Sequence, residues 1–268
     1  MLKLKQDSIN TWKKNFDYSL PGLLDAITEF TSGDVFLIGA AIFDIYITEG
    51  WVDSFSRQTG DADFTIEYLG DPSEYKNVCE KLLSIGYTND PVHSYRYHPE
   101  EKQGIYAYVD LLAFTTDDDQ VERTRGVMRV GDQFHFDGMD FAKLEPLKFI
   151  ENIFIPNPLT LIYLKLRSYY HNPVDRKKDF VDMLEIILRL ATSDLILGDL
   201  KLIMDLNQNQ EITDKLNSMF FDLEEDRGGH FDLDDIKLDL KERLLDEFEL
   251  KEIPQTVEFF RMKIMGDN

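Results

Sequence analysis

Asp61 and Asp63 in Thr59-Gly60-Asp61-Ala62-Asp63-Phe64, with Asp110 in Tyr106-Ala107-Tyr108-Val109-Asp110-Leu111-Leu112, are the strongest candidates for a reactive cluster. In a strand, residues two apart share a face, so Asp61 and Asp63 project together while Ala62 and Phe64 face the other way. If Asp110 lies on a neighbouring strand, three carboxylates converge. Each pair at 4 Å would repel by about 4 kcal/mol at an effective dielectric of 20. A hard divalent cation such as magnesium, which prefers carboxylate oxygens and completes its shell with substrate phosphates, is the natural neutralising partner. The other reading is that Asp61 and Asp63 decorate a turn after Gly60.

Apolar patterning gives the strands and helices around these acids. Leu20 to Phe30 reads as a helix with Leu23, Leu24, Ile27 and Phe30 on one side. Val35-Phe36-Leu37-Ile38 suits a buried strand, and Gly39-Ala40-Ala41 leads into a helix containing Ile42, Ile45 and Tyr46. Residues 61–69, 94–99 and 105–114 read as strands and 73–85 as a helix. Val127-Met128-Arg129-Val130 and Gln133-Phe134-His135-Phe136 flank Gly131-Asp132 as a hairpin signal. From Pro158 the period becomes helical, through Leu159, Ile162, Tyr163 and Leu166, then Val181, Leu184, Ile187 and Leu188. Pro156-Asn157-Pro158 marks the junction. The expectation is an α/β (α+β) protein with a mixed-sheet core over 1–157 and a helical domain over 158–268.

Composition narrows the partners. A formal charge of −22 over 268 residues repels polyanions at long range and attracts cationic small molecules. Residues 191–268 hold about 20 acidic and 9 basic side chains, interleaved with apolar residues at helical spacing, which reads as solvated helix faces. Cys79 is the single cysteine, so no intrachain disulfide forms, and its helical setting suits a buried thiol. The first residues lack an apolar signal core and no run of about 18 apolar residues occurs. A cytoplasmic protein without a membrane segment is expected.

His93, His98, His135, His171 and His230 show no zinc-ligand spacing. Asp222 to Leu233 fails as a calcium loop, because its glycine comes one position late and Leu233 stands where the closing glutamate is needed. Tyr95, Tyr97, Tyr106 and Tyr108 alternate on strands and suit either base stacking or cross-strand packing.

Taken in order, the apolar strand with Gly39, then Arg57-Gln58-Thr59-Gly60-Asp61-Ala62-Asp63, then Val109-Asp110-Leu111-Leu112, resembles the DNA polymerase β-like nucleotidyltransferase superfamily. The Arg-x-Thr-x-Asp-x-Asp spelling is similar to that of the AbiEii-type toxin nucleotidyltransferases. So is Lys165, on the helix that follows Pro158, when it is taken with Arg176-Lys177-Lys178-Asp179-Phe180-Val181-Asp182. The resemblance covers about residues 35–190. It implies two-metal transfer of a nucleoside monophosphate from an NTP, ATP among them, to an acceptor hydroxyl. Asp61, Asp63 and Asp110 would be catalytic and hold two Mg2+ ions; Gly39, Ala40, Arg57, Thr59, Lys165, Arg176 and Asp179 would bind nucleotide. The helical domain would complete the cleft.

The family pattern has Gly or Ser where this chain has Ala40, so no serine hydroxyl is available there, although the backbone amide can still donate to phosphate. Other readings stay open for individual residues: a strand end at Gly39, a snorkelling Lys165, a structural ion pair at Arg57, and solvent-facing pairs among Arg176, Asp179 and Asp182. The implied acceptor is tRNA or another RNA, or a protein, with an antitoxin as partner. RNA binding would require Lys143, Lys148, Lys165, Arg167, Arg176, Lys177 and Lys178 to form a basic track. Two alternatives are transfer to a cationic small molecule, as in the aminoglycoside nucleotidyltransferases, and a catalytically inactive scaffold of the same fold.

Overall fold

The computed structural model describes residues 2–55, 59–69, 71–115, 139–143, 145–172, 174–207, 214 and 253–265. The expected hairpin around Gly131 and the candidate Arg57 lie outside them. The described residues of 3–49 and 58–156 form one compact unit, and those of 1–2, 50–57 and 157–268 form a second.

The first unit is built on a seven-stranded mixed sheet, so the chain is of the α+β class as its patterning predicts. The strands are β1 (Val35–Ile38), β2 (Asp61–Glu67), β3 (Thr88–Asn89), β4 (Arg96–His98), β5 (Tyr108–Phe114), β6 (Leu147–Ile150) and β7 (Ile153–Ile155). Their order across the sheet is β3-β4-β5-β2-β1-β7-β6. β2 is central, antiparallel to β1 and parallel to β5. All four residues of β1 are buried, as a short run of apolar residues between paired strands requires.

Helices α1 (Gln6–Ser19), α2 (Leu23–Phe30), α3 (Ala41–Glu49) and α4 (Pro72–Ser84) belong to this unit. The patterning expected α2 to begin at Leu20, and α1 goes unread because lysines and aspartates dilute its apolar positions. Trp12 and Phe16, one turn apart, are its buried anchors. Phe16 stacks on Tyr106 with centroids 4.9 Å apart and meets Phe64 edge-on at 5.7 Å. Phe64 faces away from the Asp61 and Asp63 side of β2, so α1 seals the apolar face and leaves the carboxylates on the other. Tyr75 of α4 donates its hydroxyl to the Leu111 carbonyl at 2.8 Å, tying α4 to β5. β4 stops at His98 rather than running through Pro99, which has no N–H to continue a ladder.

The second unit is helical. Asn157 caps the helix Pro158–His171 by accepting from the Thr160 amide at 3.0 Å, and Pro158 takes a first-turn position where no donor is needed. The helix Lys177–Leu190 is buried from Asp179 through Leu188 and packs on Pro158–His171 and on Ile253–Met265. A helix buried on most of its circumference belongs in the centre of such a bundle. Among the described residues, no helix is long and apolar enough to cross a membrane.

Candidate active site

Strand register brings the expected acids together. Asp63 pairs with Asp110 across the parallel β2–β5 ladder, and Asp61 pairs with Tyr108. Paired strands lie about 4.8 Å apart, so the Asp61, Asp63 and Asp110 side chains leave one face of two adjacent strands as neighbours. Asp110 is buried, while Asp61 and Asp63 are half-buried. Tyr108 reports the convergence: burial pushes its phenol up, the charges of Asp61, Asp110 and Asp63 push it further, and Arg96 alone opposes.

Gly39 follows β1 with φ +77°, the left-handed region where glycine costs least. A Cβ there would collide with the Asp63 carboxylate oxygen Oδ2, so the glycine makes room for that carboxylate. Ala40 is buried, and its carbonyl accepts from the Phe43 amide at 3.0 Å in the first turn of α3. Thr59 donates its hydroxyl to Asp61 Oδ1, which fixes one oxygen of the leading carboxylate.

Arg96 is the residue that patterning missed. On β4 it pairs in register with Asp110, and its Nε and Nη2 donate to Asp110 Oδ1 and Oδ2 at 2.7 and 2.8 Å. A parallel fork of this kind is the strongest form of the arginine–carboxylate interaction. The Asp110 hydrogen bonds hold the guanidinium above the ordinary arginine range, against the opposing effect of burial. Its Cζ lies 4.0 Å from the Tyr108 ring centroid, a cation–π contact. The available signal was one basic residue between Tyr95 and Tyr97 on an alternating strand.

Asp61, Asp63 and Asp110 offer carboxylate oxygens from one face, the hard donor type that divalent magnesium prefers, and Asp63 Oδ2 packs against Gly39. Asp110 fits as a ligand only when Arg96 releases it. Among the described residues, no group of three acidic, histidine or cysteine side chains is arranged to hold a metal ion.

Lys165, Arg176 and Asp179 belong to the helical unit. Lys165 is 8% exposed, so it does not snorkel; its Nζ bridges Asp179 Oδ1 at 2.8 Å and Asp182 Oδ2 at 2.9 Å. Ser168 donates to Asp179 Oδ2 at 2.7 Å, and Arg176 Nη1 lies 3.7 Å from the same oxygen. Burial would lower the Lys165 ammonium, but Asp182 and Asp179 outweigh it and hold the group above its ordinary value. Burial would likewise raise Asp179, but Lys165, Ser168 and Arg176 together hold it below the usual carboxylate range. The network therefore remains ionised.

No family model, curated protein or solved structure matches the chain.

Proposed function

We propose that this chain is a magnesium-dependent nucleotidyltransferase that moves a nucleoside monophosphate from an NTP to an acceptor hydroxyl. The observation that carries the reading is the register of Asp63 with Asp110, with Asp61 on the same face and Gly39 shaped around Asp63. Asp61 and Asp63 would hold both metal ions, and Asp110 the one nearer the acceptor. Bound magnesium lowers the pKa of an attacking hydroxyl and stabilises charge on a triphosphate and its leaving pyrophosphate. The acceptor oxygen bonds to the α-phosphorus as the α–β phosphoanhydride breaks and pyrophosphate leaves, the hydroxyl proton passing to Asp110 or to water, and the protein contributes positioning and electrostatics. Thr59 orients Asp61. Gly39 lets the backbone lie close to Asp63 and to phosphate.

The acceptor reading follows charge. Of the seven cations that would make a basic track, Lys143 is already paired with Glu67, and Lys165 with Asp179 and Asp182. This and the −22 charge favour a cationic small-molecule acceptor; the Arg-x-Thr-x-Asp-x-Asp spelling favours a toxin-like enzyme acting on tRNA or protein, with an antitoxin. A scaffold without transfer is the second reading, and the Arg96 fork on Asp110 is the observation that favours it.

The test is incorporation from each of four α-labelled NTPs with magnesium into separate tRNA, protein and aminoglycoside pools, comparing the native chain with Asp61→Ala/Asp63→Ala. Label in one pool that disappears in the double variant supports transfer and identifies the acceptor class. No label, together with no binding of Mg-NTP, leaves the scaffold.

A further inference from the structure

Arg96 places a resident cation on the third carboxylate of the candidate site. Both Asp110 oxygens accept from its fork, at 2.7 and 2.8 Å, so the edge that a metal ion would use is filled by the protein itself. The pair is asymmetric in its access to water: the Asp110 side chain is 8% exposed and the Arg96 side chain 21%. Arg96 stands on a strand of three residues, one strand in from the sheet edge. Its guanidinium lies over the Tyr108 ring, which gives it a surface to remain stacked on after leaving Asp110.

We propose that Arg96 is a positioning residue that competes with a divalent cation for Asp110, so that the third carboxylate becomes a metal ligand only when the fork is displaced. The proposal rests on the nucleotidyltransferase reading, because it takes Asp61 and Asp63 as the other ligands. With the fork in place Arg96 offsets the charge of Asp110. Without it Asp110 adds its negative charge to the face it shares with Asp61 and Asp63, and a divalent ion binds more tightly. The first ion is then held by Asp61 and Asp63, and recruitment of Asp110 is coupled to movement of Arg96.

Manganese titration of the full chain without nucleotide, followed by the electron paramagnetic resonance signal of free Mn2+, tests this. Arg96→Gln is expected to bind Mn2+ about tenfold tighter than the native chain. Arg96→Lys keeps the charge, loses the fork and falls between the two; it carries the test alone if Arg96→Gln lacks native circular dichroism. Arg96→Gln/Asp110→Asn should return to the native affinity, since the gain requires the freed carboxylate. Isotherms for Arg96→Gln and Arg96→Lys that overlay the native one, while Asp61→Asn/Asp63→Asn abolishes binding, would overturn the competition and leave the metal site standing. Mn2+ binding unaffected by Asp61→Asn/Asp63→Asn would overturn both.

Discussion

Gly39 and Asp63 meet across β1 and β2 so closely that the glycine has no room for a Cβ: Asp63 Oδ2 occupies the place where that atom would stand. The residue at the end of β1 and the central acid of β2 are therefore one unit. Gly39→Ala meets two penalties at once, the left-handed backbone of φ +77° and the collision. A loss of about 1–2 kcal/mol from the backbone alone is expected in urea unfolding. Displacement of Asp63 should weaken Mn2+ binding and any nucleotidyl transfer in the same variant. Native affinity in a destabilised Gly39→Ala protein would show that Asp63 takes no part in holding the ion.

Lys165→Met should be among the most damaging substitutions in the helical unit. It leaves Asp179 and Asp182, both buried, without their shared ammonium. Breaking a buried pair from one side costs about 3–5 kcal/mol. The triple variant Lys165→Met/Asp179→Asn/Asp182→Asn should recover much of that loss, because no lone charge is then buried. Chemical denaturation of the three proteins measures the difference.

The same network sets a pH window. Asp179 is held below its unfolded value, so its contribution is present above the unfolded carboxylate pKa of about 4 and is lost as pH falls through the lower folded value. Lys165 is held above its unfolded value, so its contribution is present below about pH 10.4 and is lost as pH rises through the higher folded value. Helical ellipticity and melting temperature should hold a plateau between these limits and fall at both ends. In Lys165→Met the alkaline limb attributable to this group should vanish.

Cys79 should behave as a packing residue. Burial pushes its thiol up, although Tyr97 and Tyr75 hydrogen bonds oppose this, and the thiolate is the reactive form. Ellman's reagent should label the native chain far more slowly than the urea-unfolded chain at the same pH. Equal rates would place the thiol in open solvent.

Local periodicity determined a good part of this protein. Alternation alone puts Asp61 and Asp63 on one face, and four consecutive apolar residues mark β1, because side-chain direction along a strand depends only on the backbone of that strand. Helical spacing marked the segments after Pro158 for the same reason. Register is different. Whether Asp110 meets Asp63 or slides one residue away is decided by pairing between distant strands, and a slip of one would send it to the opposite face. Arg96 was legible as a basic residue on a strand, but its partner appears only when β4 is laid antiparallel on β5. Lys165 was legible as a cation in an apolar helix; that Asp179, Asp182 and Ser168 surround its ammonium is a result of helix packing. Residue type and local periodicity fix which groups carry charge and which side chains share a face along each recognised strand or helix. Tertiary structure decided which charge neutralises which, since a buried ion is stabilised by neighbours brought to it through space rather than along the chain.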